Sequence, residues 1–399
     1  MAALLAATAL TLSLTIAAPA SAGLSAAGQE AAATTAADVS IEKAKMLRDA
    51  ALKSPRAFQF LEDLTTEIGP RLAGTPAEHR AADWAEAKMK ATGFDKVWRE
   101  KVDMRVWQRK SESVEVQGPS EQSLTVTALG YSVSTPKGGV TADVVHFDTI
   151  KDLQDADPAD VKGKIAFISN RMERSIDGSG YGPAVGARFA GSLAAAEKGA
   201  VAVLIRSIGT DSHRLPHTGS SASDTDKDRV AAAALSNPDA DQLVRLLARG
   251  PVSLKVDIQT EVTEGHTYNI IGEVTGSSKP DEYVVVGSHL DSWDLGTGAI
   301  DDGVGVALNL ATASLYADMP KSERPARTLR VILFGAEELG LIGARAYAAT
   351  HADELSKIAV AAESDFGAGK IWALASRTGA SAVPIVDKMA QLLGPLGVV

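Results

Sequence analysis

The sequence predicts an α/β protein: a doubly wound, mostly parallel sheet interrupted by a β-rich inserted module. Three observations carry this. From Tyr283 onward, β-branched apolar runs alternate with helical stretches. Between Gly118 and about Gln259 the texture changes to short strands separated by Gly, Asp and Pro turns. At 399 residues, 45% apolar and 23% charged, the chain has room for more than one globular unit.

The chain opens with "MAALLAATALTLSLTIAAPASAG", an apolar run followed by Ala20-Ser21-Ala22, the small-x-small form of a signal-peptidase site. Residues 1–22 are therefore expected to be an export leader, which places the protein in the periplasm or the medium. The run is short for a membrane span, and nothing later is long enough to cross a bilayer. Residues 23–38 are Ala/Thr/Ser-rich and expected to be a disordered linker.

A first globular part is expected over 39–117. Ile41 to Lys53 has the spacing of an amphipathic helix. "FQFLEDLTTEIGPRLAGTPAEHRAADWAEAKMKATGF" predicts a helix, a loop broken by Gly69-Pro70 and Gly74, and a helix from Pro76 to Ala91 ended by Gly93. "KVWREKVDMRVWQRKSESVEV" follows as a strand. The inserted module, 118–260, is expected to hold the strands "TADVVHF", "KGKIAFI" and "VAVLIRS" and one Ala-rich helix near Arg188 to Lys198. In the second part, 261–399, the elements are strand Tyr283–Ser288, a helix from about Gly303 to Tyr316, strand Thr328–Phe334, helix Leu341–His351 and strand Ile358–Glu363.

Composition narrows the chemistry. The net charge of -10 is spread along the chain, and no Lys/Arg cluster alternates with aromatics, which argues against nucleic acid or an anionic membrane as partner. There are no cysteines, so a lipoprotein anchor, disulfides and thiolate metal ligands are excluded. Any metal must be held by histidine and carboxylates.

"SHLDSWDLGTGAIDDGVG", Ser288 to Gly305, holds one histidine and four aspartates, Asp291, Asp294, Asp301 and Asp302, with no Lys or Arg. In an open α/β sheet the site lies at the carboxyl ends of the strands. Three successive strands end in His289-Leu290-Asp291, Glu337-Glu338 and Glu363-Ser364-Asp365, while Asp301-Asp302 begins a helix. Taken singly, His289 reads as a hydrogen-bonded strand-end residue, Asp301-Asp302 as a helix cap and Glu337-Glu338 as a solvated first turn. Four segments aimed at one sheet edge read instead as a cation site. Oxygen and imidazole donors without thiolate suit zinc before manganese or cobalt, and two ions would account for so many acids. His213 and His217 are separated by Pro216 and are expected in a loop; His351 ends a helix as a C-terminal cap; His79 and His146 are ordinary surface or edge residues.

"GSHLDSWDLGTGAIDDGVG", "LFGAEELGLIGARAY" and "ESDFG" resemble the dizinc exopeptidases of the aminopeptidase and carboxypeptidase Q family, and "IGPRLAGT" and "LPHTG" resemble its carboxypeptidase Q branch. The resemblance covers nearly the whole chain after the leader. It implies that the inserted module is a protease-associated (PA) domain. It also implies two zinc ions per complete site: His289 and Asp365 on the first, Glu338 on the second, Asp301 bridging both and Asp302 outside the ligand set. Glu337 is then the general base and Asp291 the carboxylate that orients His289. The partner implied is a peptide, with no membrane anchor; a homodimer is compatible with the resemblance. In the family a histidine ligand to the second zinc lies beyond "ESDFG", whereas no histidine follows His351 here. The expectation is a C-terminally truncated chain that holds one zinc firmly, through His289, Asp301 and Asp365, with little or no turnover by itself.

Two other functions are weighed against an exported dipeptidase or aminopeptidase. A glutaminyl cyclase-like acyltransferase on the same scaffold needs one zinc and no inserted module. A non-catalytic PA-containing binding protein would not need Glu337 and the ligand positions.

Overall fold

The computed structural model describes residues 41–118, 121–221, 228–365, 367, 369–374, 376 and 379–399. The leader and linker expected over 1–38 lie outside the described residues. Within them the chain forms two compact units, one built from 105–265 and 338–340, the other from the remaining segments. The first is wider than the 118–260 expected for the insertion. The reason is that two long strands run without a break across both of its boundaries.

The chain enters through α1 (residues 41–53), α2 (Arg56–Asp63), a wide turn at Leu64–Ile68 and α3 (Pro76–Ala91). Pro76 sits in the first turn of α3, where its missing N–H is no loss, and Gly93 ends the element at φ 86°. β1 (Lys96–Val116) then carries the chain into the inserted unit.

That unit comprises β2 (Gln122–Leu124), β3 (Val126–Ala128), β4 (Val140–Phe147), α4 (Ile150–Asp155), α5 (Pro158–Val161), β5 (Ile165–Ile168), α6 (Tyr181–Glu197), β6 (Ala202–Arg206), β7 (Ala231–Leu235), α7 (Asn237–Leu247) and the first half of β8 (Ser253–Val274). β4, β5, β6 and β7 are parallel neighbours in that order, flanked by antiparallel β8 and β3. The single helix expected near Arg188–Lys198 is corrected to four. α6 starts at Tyr181, and α4, α5 and α7 were hidden by short length or by proline and acidic residues in their first turns. Ile168, Val203, Ile205, Ala232 and Ala234 on one sheet face pack with Leu153, Val161, Ala187, Ala194 and Ala195 from the helices.

The other unit resumes in β8 and continues with β9 (Lys279–His289), α8 (Val304–Ala317), β10 (Arg327–Phe334), α9 (Ile342–Thr350), β11 (Ile358–Glu363) and α10 (Val383–Leu393). Its sheet order is β11-β9-β10-β8, with β11, β9 and β10 parallel and β8 antiparallel to β10. β10 shows the two-residue period of a strand covered on both faces. Leu329, Val331 and Leu333 meet α2, the turn after it, α3 and α8 through Phe60, Leu64, Ala85, Met89, Val306 and Leu310, while Ile332 packs with Val285 and Tyr347 on the opposite side. Among described residues no helix is long and apolar enough to cross a membrane.

Parallel register sets the working edge. Phe334 lies beside His289, and Glu363 beside Gly287. The three strands therefore release their polar C-terminal residues at nearly one level.

Candidate metal centre

His289, the last residue of β9, is fully buried. Its Nδ1 lies 2.9 Å from the Asp291 main-chain oxygen, an acceptor only, so Nδ1 must carry the proton. In the neutral ring that leaves Nε2 with a lone pair, and Nε2 faces Asp301 Oδ1 at 2.9 Å and Asp365 Oδ1 at 3.5 Å. That contact requires positive charge, either a proton on Nε2 or a cation between the ring and the two carboxylates. Among the described residues, His289, Asp301 and Asp365 offer ligand atoms within 4.8 Å of one another. One imidazole nitrogen and two carboxylates are a donor set that fits zinc.

The protonation of the cluster says the same. Burial opposes charge on His289, but Asp291, Asp301 and Asp365 override it and hold the ring well above its ordinary pKa. Burial raises Glu337 to about 7, with Asp291, Asp365 and Asp301 adding to the rise and His289 opposing it. Burial likewise lifts Asp302 to about 8, and Glu363 is raised by burial and by Asp365. The site is short of positive charge, which either protons or a metal ion supply.

Asp301 and Asp302 diverge although adjacent. Asp301 is exposed and turns its carboxylate to His289; Asp302 is buried and accepts from the His289 N–H at 3.2 Å and the Gly305 N–H at 3.0 Å. Their shared peptide bond is cis. Gly305 is required at the start of α8: a Cβ there would stand 2.1 Å from Ser364 O and 2.4 Å from an Asp302 oxygen.

Asp291 meets His289 through both its main chain and its carboxylate. Its main-chain oxygen makes the 2.9 Å bond to Nδ1, and its carboxylate, 3.6 Å from the same nitrogen, also accepts the Glu337 N–H at 3.0 Å. One buried residue thus holds both the imidazole and the backbone of the glutamate beside it. Glu338 directly follows Glu337, is grouped with 105–265, and does not join the His289, Asp301 and Asp365 set.

The remaining histidines are engaged elsewhere. His351 Nε2 lies 2.8 Å from Glu100 and its ring stacks on Tyr347; His217 pairs with Asp211 at 3.0 Å; His79 stacks on His266. Arg71, to which the sequence reading gave no role, is fully buried and donates to the main-chain oxygens of Leu290 at 2.5 Å, Thr297 at 2.7 Å and Gly298 at 2.9 Å. It pins the loop between His289 and Asp301. The only signal was an arginine inside the Gly-Pro-Arg-Leu-Ala-Gly turn.

Residues 269–398 match peptidase family M28. Carboxypeptidase Q of Bos taurus is 33% identical over 346 residues, which is 86% of this chain and 71% of that protein. The crystal structure of a peptidase M28 precursor from Shewanella amazonensis SB2B superposes with a TM-score of 0.88 at 46% identity, covering 91% of this chain and 82% of that one. A zinc aminopeptidase from Bacillus subtilis has a TM-score of 0.56 at 25% identity, covering 76% of this chain and 66% of that one.

Proposed function

Because the chain belongs to peptidase family M28 and is a zinc metallo-exopeptidase, we propose that it is an exported enzyme that hydrolyses dipeptides and short peptides, with Glu337 as general base. The observation that carries the site assignment is the buried His289 Nε2 facing Asp301 and Asp365, three ligand-type groups within 4.8 Å of one another, with Glu337 held beside them by Asp291.

In this reading His289, Asp301, Glu338 and Asp365 would hold zinc. Zinc, when bound, supplies a Lewis acid that makes water a better nucleophile at neutral pH and polarises the peptide carbonyl. Glu337 takes the proton from the attacking water and returns it to the amine nitrogen as the C–N bond breaks. Asp291 fixes the imidazole tautomer through its carbonyl and aims Glu337 through its carboxylate. Asp302 holds the turn that presents Asp301. The partner is a peptide, and the unit from 105 to 265 corresponds to the PA module.

A panel of free and terminally blocked dipeptides, assayed with the zinc-loaded full-length enzyme, tests the substrate class. Cleavage confined to peptides with free termini is expected. Equal turnover of blocked and free forms would overturn the proposed specificity.

A further inference from the structure

Glu78 lies in the first turn of α3, where a glutamate is ordinarily solvated, yet it is 1% exposed. Its carboxyl oxygens accept from the Gly74 N–H at 2.6 Å and from the Thr267 hydroxyl, and the Ala336 N–H favours its charged form. Burial, with the Asp291 carboxylate adding to it, raises this group to about 8. A buried carboxyl with no arginine or lysine among these partners is costly to keep, so its placement calls for a physical account.

The account lies in the turn it touches. Gly335-Ala336-Glu337 follows β10, and Ala336 adopts φ 53°, a left-handed conformation that alanine avoids. The turn sits directly on Thr267 and Glu78: a Cβ at Gly335 would meet Thr267 Oγ1 at 2.0 Å, Tyr268 O at 2.6 Å and Glu78 Oε1 at 3.0 Å. Asn269 secures the far side, accepting from the Gly335 N–H at 3.2 Å and donating to Gly343 O at 2.9 Å. The Glu337 N–H is thus held by the buried Asp291 carboxylate, while the buried Glu78 carboxyl packs directly against the same turn at Gly335.

We infer that Glu78 is a positioning residue for the general base: anchored by the Gly74 N–H and the Thr267 hydroxyl, it packs beneath Gly335 and clamps the strained turn that aims Glu337. The inference rests on the role given to Glu337 above. Glu78 itself touches no ligand of the metal and no reacting atom.

The test compares wild type, Glu78→Met, Glu78→Gln, Thr267→Val and Glu337→Gln in the full-length enzyme, each measured for kcat, KM, zinc content and thermal unfolding. Methionine fills the space without accepting hydrogen bonds. It is expected to lower kcat about 10- to 100-fold, the scale of a misplaced catalytic group, with KM within about threefold and zinc content unchanged. Glutamine, which restores the shape and an acceptor oxygen, is expected to return kcat to within about threefold of wild type, the residual effect of one altered bond. Thr267→Val removes one anchor and is expected to lower kcat a few-fold, which keeps the test open if the methionine variant does not fold. Wild-type kcat in the folded Met and Val variants, or a glutamine variant as slow as methionine, overturns the inference. Zinc loss in parallel with kcat also overturns it. If Glu337→Gln itself turns over, the failure belongs to the assignment of the base; if Glu337→Gln is silent while Glu78→Met is fast, only the role of Glu78 fails.

Discussion

Replacing Arg71 by methionine removes the guanidinium from beneath the loop that joins His289 to Asp301. The cost follows from the carbonyls left behind. Leu290 is fully buried, so its oxygen loses its 2.5 Å donor without access to water, a penalty of about 2–3 kcal/mol. Thr297 is exposed and Gly298 half-buried, so water re-solvates their oxygens and each loss is about 0.5–1 kcal/mol. The methionine stem refills part of the space, and the sum is about 3–4 kcal/mol. That corresponds to a fall in Tm of about 6–16 °C for a unit of this size. Lysine is expected to recover less than half of the loss, since one ammonium cannot span three carbonyls. Calorimetry of the zinc-free protein, paired with zinc titration, measures both stability and the loosening of Asp301. A Tm within about 2 °C of wild type, with unchanged zinc affinity, would show that the loop does not depend on Arg71.

Asp301→Ala is expected to weaken zinc binding at least tenfold, because the Nε2 face of His289 loses its 2.9 Å oxygen partner; unchanged metal stoichiometry on dialysis would mean that another aspartate binds. Gly305→Ala forces a Cβ against Ser364 O and Asp302 and is expected to cost about 1–3 kcal/mol in urea unfolding; wild-type stability would contradict the packing at that turn. Glu78 has a folded pKa of about 8 against an ordinary 4.5, so its contribution to stability is complete below about pH 4.5 and is lost as pH rises toward 8. The zinc-free wild type is therefore expected to lose up to about 5 kcal/mol relative to Glu78→Gln across that window; a stability difference independent of pH would refute the buried, protonated state.

The second-half strands and the polar strand ends were legible because both signals are local. β-branched runs mark β9 and β10, and the acids stand immediately after them. β7 was not, because its sequence is Ala-Ala-Ala-Ala-Leu: five buried residues whose smallness suits a strand covered on both faces but shows neither alternation nor branching. α6 was read short because Gly182, Pro183 and Gly186 occupy its first turns. The site residues missed share a different cause. Arg71 acts on carbonyls more than 200 positions away, and Glu78 on a turn equally remote, so each looks local and ordinary in the sequence. Asp291 was identified through its side chain, whereas its closest contact to His289 is made by its carbonyl, and backbone orientation leaves no trace in residue type.

The central claim is that Glu337 moves the proton at a zinc site built by His289, Asp301, Glu338 and Asp365. Glu337→Gln in the full-length enzyme, assayed for dipeptide turnover and zinc content in one preparation, tests it most directly. Zinc equal to wild type with turnover lowered about 10²-fold or more is the expected result, since the amide neither takes nor returns a proton. Wild-type turnover with zinc in place would contradict it.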